Sequence, residues 1–151
     1  MWRTGKKAGG NTSHIILNMN NRTVLLLEDD PDDKFITESI LEELNYKISL
    51  KFVTRSHELF AALETADLPH LILVDYNSKP DNGLQVLKKI KSDERYKSIP
   101  VVILGDSSLE RYVKDCYANG ANSVIRKPDT YADTKNKIDQ FFRYWMDIVE
   151  L

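Results

Sequence analysis

Short apolar runs alternate with amphipathic stretches along most of the chain. Thr23 to Leu27, Leu71 to Val74 and Val101 to Leu104 are runs of mostly branched aliphatic residues bounded by turn formers, a pattern that predicts strands buried on both faces. Ile48 to Val53 alternates, with Ile48, Leu50 and Phe52 on one side, and Ser123 to Arg126 reads as a fifth short strand. Helical periods lie between them. Ile36, Ile40 and Leu44 mark the first, and Leu59, Phe60 and Leu63 a second, from Ser56 to about Ala66. Val86, Leu87 and Ile90 mark a third, from about Asn82 to Lys91, and Leu109, Val113, Cys116 and Tyr117 a fourth, from about Ser108 to Asn119. The last runs from about Tyr131 to Val149 with Ile138, Phe141, Phe142, Trp145, Ile148 and Val149 inward. Five alternations of strand and helix predict an α/β fold, a parallel sheet with helices on both faces.

Local chemistry agrees with these boundaries. Asp30 is an expected N-cap with Pro31 at the first helical position, and Asp32 and Asp33 suit the positive end of the helix dipole. Asn119-Gly120 is a helix stop. Residues 1–22 are rich in Gly, Asn and Thr without a period, which reads as a disordered leader ahead of one domain at 23–151. A chain of 151 residues can bury a sizeable core without disulfides, and the lone Cys116 is expected as a helix core residue of a cytoplasmic protein. A net charge of −2 and the lack of a basic stripe argue against nucleic acid, and no apolar run is long enough for a membrane span. His14, His57 and His70 have no ligand-like spacing and read as surface or loop residues.

Charge collects where strands end. Glu28-Asp29 follows the first strand, Asp75 closes the third and Lys127 follows the fifth. In a parallel sheet these ends share the edge where ligands bind. Carboxylates this close raise one another's pKa, and a hard divalent cation such as Mg2+ relieves the repulsion. A cation together with Lys127 makes the edge attractive to a phosphoryl group.

In this order and on these elements, Glu28-Asp29, Asp75 with Gly83 eight residues on, and Lys127-Pro128 resemble the motifs of a response regulator receiver domain. The resemblance covers about Thr23 to Leu151. It implies the flavodoxin-like, doubly wound five-stranded sheet with strand order 2-1-3-4-5. It also implies that Asp75 is the phosphoacceptor, taking a phosphoryl group from a phosphohistidine. Asp29 and Asp75 would hold Mg2+ directly, Glu28 through water and Asn77 by its backbone carbonyl, with Lys127 contacting the phosphoryl oxygens. A signalling domain of this kind is not an enzyme beyond its own phosphorylation and dephosphorylation. The implied partners are a histidine kinase or phosphotransfer protein, a downstream protein, and a second copy through the face of the fourth helix, fifth strand and fifth helix. The Phe-Phe-x-x-Trp face of the last helix is similar to stand-alone receivers of phytochrome-like or hybrid histidine kinases, with no output domain expected.

The chain departs from the family pattern at the switch. Gly105 stands where receivers carry Thr or Ser, Val124 where they carry Tyr or Phe, and Lys79-Pro80 where the usual proline comes one residue earlier. Ser107 or Ser108 is the expected substitute hydroxyl, and Asp106 is expected to repel the phosphoryl group. Gly105 and Val124 favour a second reading, a pseudo-receiver that works as a phosphorylation-independent interaction module. A phosphatase of the haloacid-dehalogenase type fits poorly, because the acid it needs two residues after the nucleophile is Asn77.

Overall fold

The computed structural model of the chain describes residues 22–46, 48–65 and 67–151. The expected leader up to position 21 and the expected end of the second helix at Ala66 lie outside the described residues. The elements are β1 (Thr23–Leu27), α1 (Pro31–Glu43), β2 (Ser49–Val53), α2 (Ser56–Leu63), β3 (Leu71–Asp75), α3 (Gly83–Ser92) and β4 (Val101–Gly105). A 3-10 segment (Ser107–Tyr112) leads into α4 (Val113–Ala118), then come β5 (Ser123–Arg126) and α5 (Tyr131–Phe142), extended by a π-helical turn (Arg143–Ile148). All strands are parallel, in the order β2-β1-β3-β4-β5. The flavodoxin-like fold expected from the sequence is therefore the one observed.

Strand alternation sorts the core into two layers. Leu25, Leu27, Ile72, Val74, Val101 and Ile103 face one side, against Leu59, Leu63, Val86, Leu87 and Ile90 of α2 and α3. Val24, Leu26, Leu71, Leu73 and Val102 face the other, against Leu41, Phe142, Trp145 and Met146 of α1 and the last helix. Every residue of β3 is buried, so the sheet's centre is dry and its polar chemistry is confined to the ends. Caps set the helix starts above those ends. Asp30 accepts from Asp32 N ahead of Pro31, Asn82 and Gln85 form a reciprocal capping box, and Thr130 accepts from Asp133 N. Among the described residues no helix is long and apolar enough to cross a membrane.

Two helices turn differently from the pattern, with consequences for their faces. The expected fourth helix begins as a 3-10 segment, which advances about 120° per residue instead of about 100°. That extra rotation keeps Cys116 inward, moves Val113 to the flank, and leaves Tyr117 50% exposed instead of in the core. The last helix ends in a wider turn closed by Val149 N donating to Tyr144 O. The wider turn buries Trp145 and Met146 and swings Ile148, expected inward, to 63% exposure. His70, expected as a loop or surface residue, lies in the loop just before β3 and there also anchors the sheet: its Nδ1 accepts from Thr23 N at 3.0 Å and its own backbone N–H donates to Thr23 O at 2.8 Å.

Tyr117 has a different task. Its hydroxyl accepts from Val124 N at 3.2 Å, and Lys137 Nζ donates to Arg126 O at 2.7 Å. Both bonds lie on the outer edge of β5.

Gly83 opens α3 where nothing larger fits. A Cβ there would stand 2.7 Å from Tyr76 Cα, a backbone atom that cannot swing away. Gly83→Ala is expected to destabilise the fold by about 2 kcal/mol or more, as overpacking against backbone does. Urea denaturation checks this, and an unchanged midpoint would contradict the contact.

Candidate functional site

The carboxyl ends of β1, β3 and β5 bring Glu28, Asp75 and Lys127 together. Lys127 N donates to Gly105 O at 2.7 Å, which fixes the residue against the end of β4. Its ammonium then reaches Glu28 Oε2 at 2.5 Å, Asp75 Oδ2 at 2.9 Å and Asp33 Oδ2 at 2.9 Å. Asp75 Oδ1 accepts from Asn77 N at 2.8 Å, so both carboxylate oxygens are oriented. Glu28 Oε1 accepts from Asp30 N at 3.1 Å.

Burial decides the electrostatics. Only 3% of Glu28 is exposed, and desolvation, against the hydrogen bond from Lys127 and reinforced by the charge of Asp75, pushes its carboxyl up to about 7. Desolvation works the other way on Lys127. The charge of Asp75, the hydrogen bond and charge of Glu28 and the hydrogen bond of Asp33 outweigh it and hold the ammonium above the usual lysine range. Ligand oxygens of Glu28, Asp29 and Asp75 all lie within 4.8 Å of one another. An all-oxygen set of this kind, with Asp29 exposed to solvent and negative charge in excess of the single lysine, fits a hard divalent cation.

Asp33 belongs to this cluster, although the sequence pattern reads it as a solvated helix start. The missed signal is geometric. Asp33 is the third residue of α1, and helical side chains lean toward the N-terminus. Here that direction leads back over the strand ends.

The switch positions are filled differently from the family pattern. Gly105 lies against Leu109, which is buried: a Cβ at Gly105 would meet Leu109 Cβ and Cδ2 at 3.0 Å. Val124 is half-buried against the core layer of α2 and α3. Neither expected substitute hydroxyl points unengaged from a buried position. Ser107 is exposed, and Ser108 Oγ donates to Asp106 Oδ1 at 2.5 Å. That bond, with the one from Ser108 N, holds the exposed Asp106 carboxyl below the usual range. Next to Asp75, Tyr76 N donates to Leu104 O at 2.7 Å and its carbonyl accepts from Gly83 N at 2.8 Å. Its ring stacks on Tyr112 at 4.6 Å between centroids and 16° between planes. This stack ties the residue after Asp75 to the end of the 3-10 segment.

Comparison with known proteins places this geometry. Residues 24–139 match the response regulator receiver domain. The probable methanogenesis regulatory protein FilR2 of Methanothrix harundinacea is 27% identical over 128 residues, covering 82% of this chain and 83% of that protein. The crystal structure of the phosphorylated cyanobacterial phytochrome response regulator RcpA superposes with a TM-score of 0.80 at 27% identity, covering 87% of this chain and 98% of that one. The Mn2+-bound form of response regulator Rcp1 gives a TM-score of 0.79 at 27% identity, covering 86% and 98%. Strand order, the acidic strand ends with their lysine, and these likenesses agree, and the chain belongs to the receiver domains of two-component response regulators.

Proposed function

We propose that residues 23–151 act as one phosphoacceptor unit whose nucleophile is Asp75. The observation that carries this reading is the 2.9 Å contact of Lys127 Nζ with Asp75 Oδ2 beside a divalent-cation ligand set. In the reaction an Asp75 carboxylate oxygen attacks the phosphorus of a phosphohistidine. A P–O bond forms, the P–N bond breaks, and the imidazole of the donor leaves. Asn77 N and Lys127 hold the two carboxylate oxygens in place for the attack. Glu28, Asp29, Asp75 and the Asn77 carbonyl would hold Mg2+, which neutralises phosphoryl oxygens as charge builds on them. The donor is a histidine kinase or a histidine phosphotransfer protein, and the likeness to a cyanobacterial phytochrome response regulator supports a phytochrome-like kinase as the source. Output is by protein contact, including a homodimer through the face of α4, β5 and α5.

A second reading rests on Leu109. With an apolar side chain packed where a hydroxyl is usual, a pseudo-receiver that keeps the fold and signals without phosphorylation is the alternative.

Intact mass after incubation with acetyl phosphate and Mg2+ separates the two. The phosphoacceptor reading expects a single phosphoryl adduct on the wild type and none on Asp75→Asn. Absence of the adduct from the wild type, even with a phosphorylated histidine donor, sinks it in favour of the pseudo-receiver.

A further inference from the structure

An ammonium group has three N–H donors. In this structure all of them are taken, by Glu28 Oε2, Asp33 Oδ2 and Asp75 Oδ2. A phosphoryl oxygen arriving at Lys127 therefore meets no free donor and is bound only in exchange for one carboxylate.

The three contacts are not equally easy to give up. Glu28 is 3% exposed, and without the lysine its charge would stay buried and unpaired. Asp75 is the attacking group and stays in the site throughout. The Asp33 side chain is 41% exposed, so water can solvate it once it is released. It also sits on a helix, α1, and on no strand, so its release breaks no strand pairing.

We infer that Asp33 is a positioning residue, a competing anchor that holds Lys127 in its resting place and yields it to the phosphoryl group. This rests on the phosphoacceptor reading of Asp75 and adds a residue to it. Asp33 touches no reacting atom. It sets how readily Lys127 is available, and so how tightly the phosphoryl group is held.

The test uses the full chain with Mg2+ and two probes. Beryllofluoride, which completes a tetrahedron on a carboxylate oxygen, is titrated and followed by 19F NMR. Acetyl phosphate supplies the rate of adduct formation by intact mass. Asp33→Asn, and Asp33→Ser as a second variant that also suits a first helical turn, are expected to bind beryllofluoride about threefold or more tighter than the wild type, the factor that losing a partly exposed ion pair allows. Asp32→Asn removes the same charge one residue away, from a side chain outside the lysine's contacts, and is expected to match the wild type.

Equal tightening in Asp32→Asn would reduce the effect to net charge and overturn the anchor. So would unchanged or weaker binding in both Asp33 variants, or no beryllofluoride binding by any of the proteins. The phosphoacceptor reading fails separately. If the wild type forms no adduct with acetyl phosphate or with a phosphorylated histidine donor while the Asp33 variants still bind beryllofluoride more tightly, the competition of Asp33 for Lys127 stands and the reading of Asp75 falls. If the adduct forms and its rate and the beryllofluoride affinity ignore Asp33, the reading stands and the anchor falls.

Discussion

Replacing Lys127 by methionine is expected to destabilise the protein by about 3–5 kcal/mol at pH 8, the loss that follows when a buried ion pair keeps only one partner. The methylene stem survives in methionine, so the change isolates the charge. Glu28 and Asp75, both buried, lose the ammonium that reaches them at 2.5 and 2.9 Å. The loss depends on pH, and its sign follows from Glu28. Its folded carboxyl stands at about 7 against an ordinary value of 4.5, so between those values the folded protein holds a proton that the unfolded chain has released. Stability of the wild type therefore falls as pH rises through that window, and the Glu28 part of the variant's deficit opens above about 7, because without the Lys127 hydrogen bond and charge its carboxyl holds its proton to higher pH. Lys127 acts in the same direction, but in a much higher window. Its raised value means that its contribution is complete below 10.5 and is lost only far above neutrality. The methionine variant is consequently expected to show a smaller deficit near pH 5, where Glu28 is neutral and needs no ammonium, and to recover part of its deficit in millimolar Mg2+ at pH 8. Urea denaturation across pH 5 to 8, with and without Mg2+, reads all of this. A deficit that ignores both pH and Mg2+ would contradict the electrostatic account.

Restoring the family hydroxyl alone is expected to fail. Gly105→Thr brings its Cβ within 3.0 Å of two Leu109 atoms, so Leu109, packed at 2% exposure, has to move or the strand end has to shift. Overpacking of this kind costs about 1–3 kcal/mol. Leu109→Ala alone leaves a cavity and costs about 2–5 kcal/mol. Combined, the two changes relieve each other, since the larger residue at 105 enters the space the smaller one at 109 leaves. The double variant is expected to be at least ~1 kcal/mol more stable than the sum of the single effects. It is also the one expected to lengthen adduct lifetime on Asp75, because only there does the hydroxyl find room beside the phosphoryl group. Additive stabilities, or a longer lifetime in Gly105→Thr alone, would show that Leu109 does not guard this position.

Leu109 also marks the limit of what could be read from residue order. β3 and its terminal Asp75 were legible because a dry strand admits no polar residue except at its end, and the meeting of Glu28, Asp75 and Lys127 on one edge followed from parallel topology. The cap at Asp30 was legible because it is a local hydrogen bond between near neighbours. The contact of Leu109 with Gly105 was not, because it depends on a 3-10 start whose rotation no apolar period announces. Asp33 was hidden for a related reason. Its residue type fits a helix dipole equally well whether or not a lysine lies within reach.

The capped edge of β5 constrains how the domain can meet another copy of itself. An edge strand usually offers a row of unpaired backbone groups to any passing strand. On β5 the Val124 N–H is already bonded to the Tyr117 hydroxyl and the Arg126 carbonyl to Lys137. Sheet extension across this edge would first have to break both bonds. The homodimer proposed through α4, β5 and α5 would thereby be directed to side-chain surfaces, which can be released again, and away from strand addition, which tends toward continuous fibres.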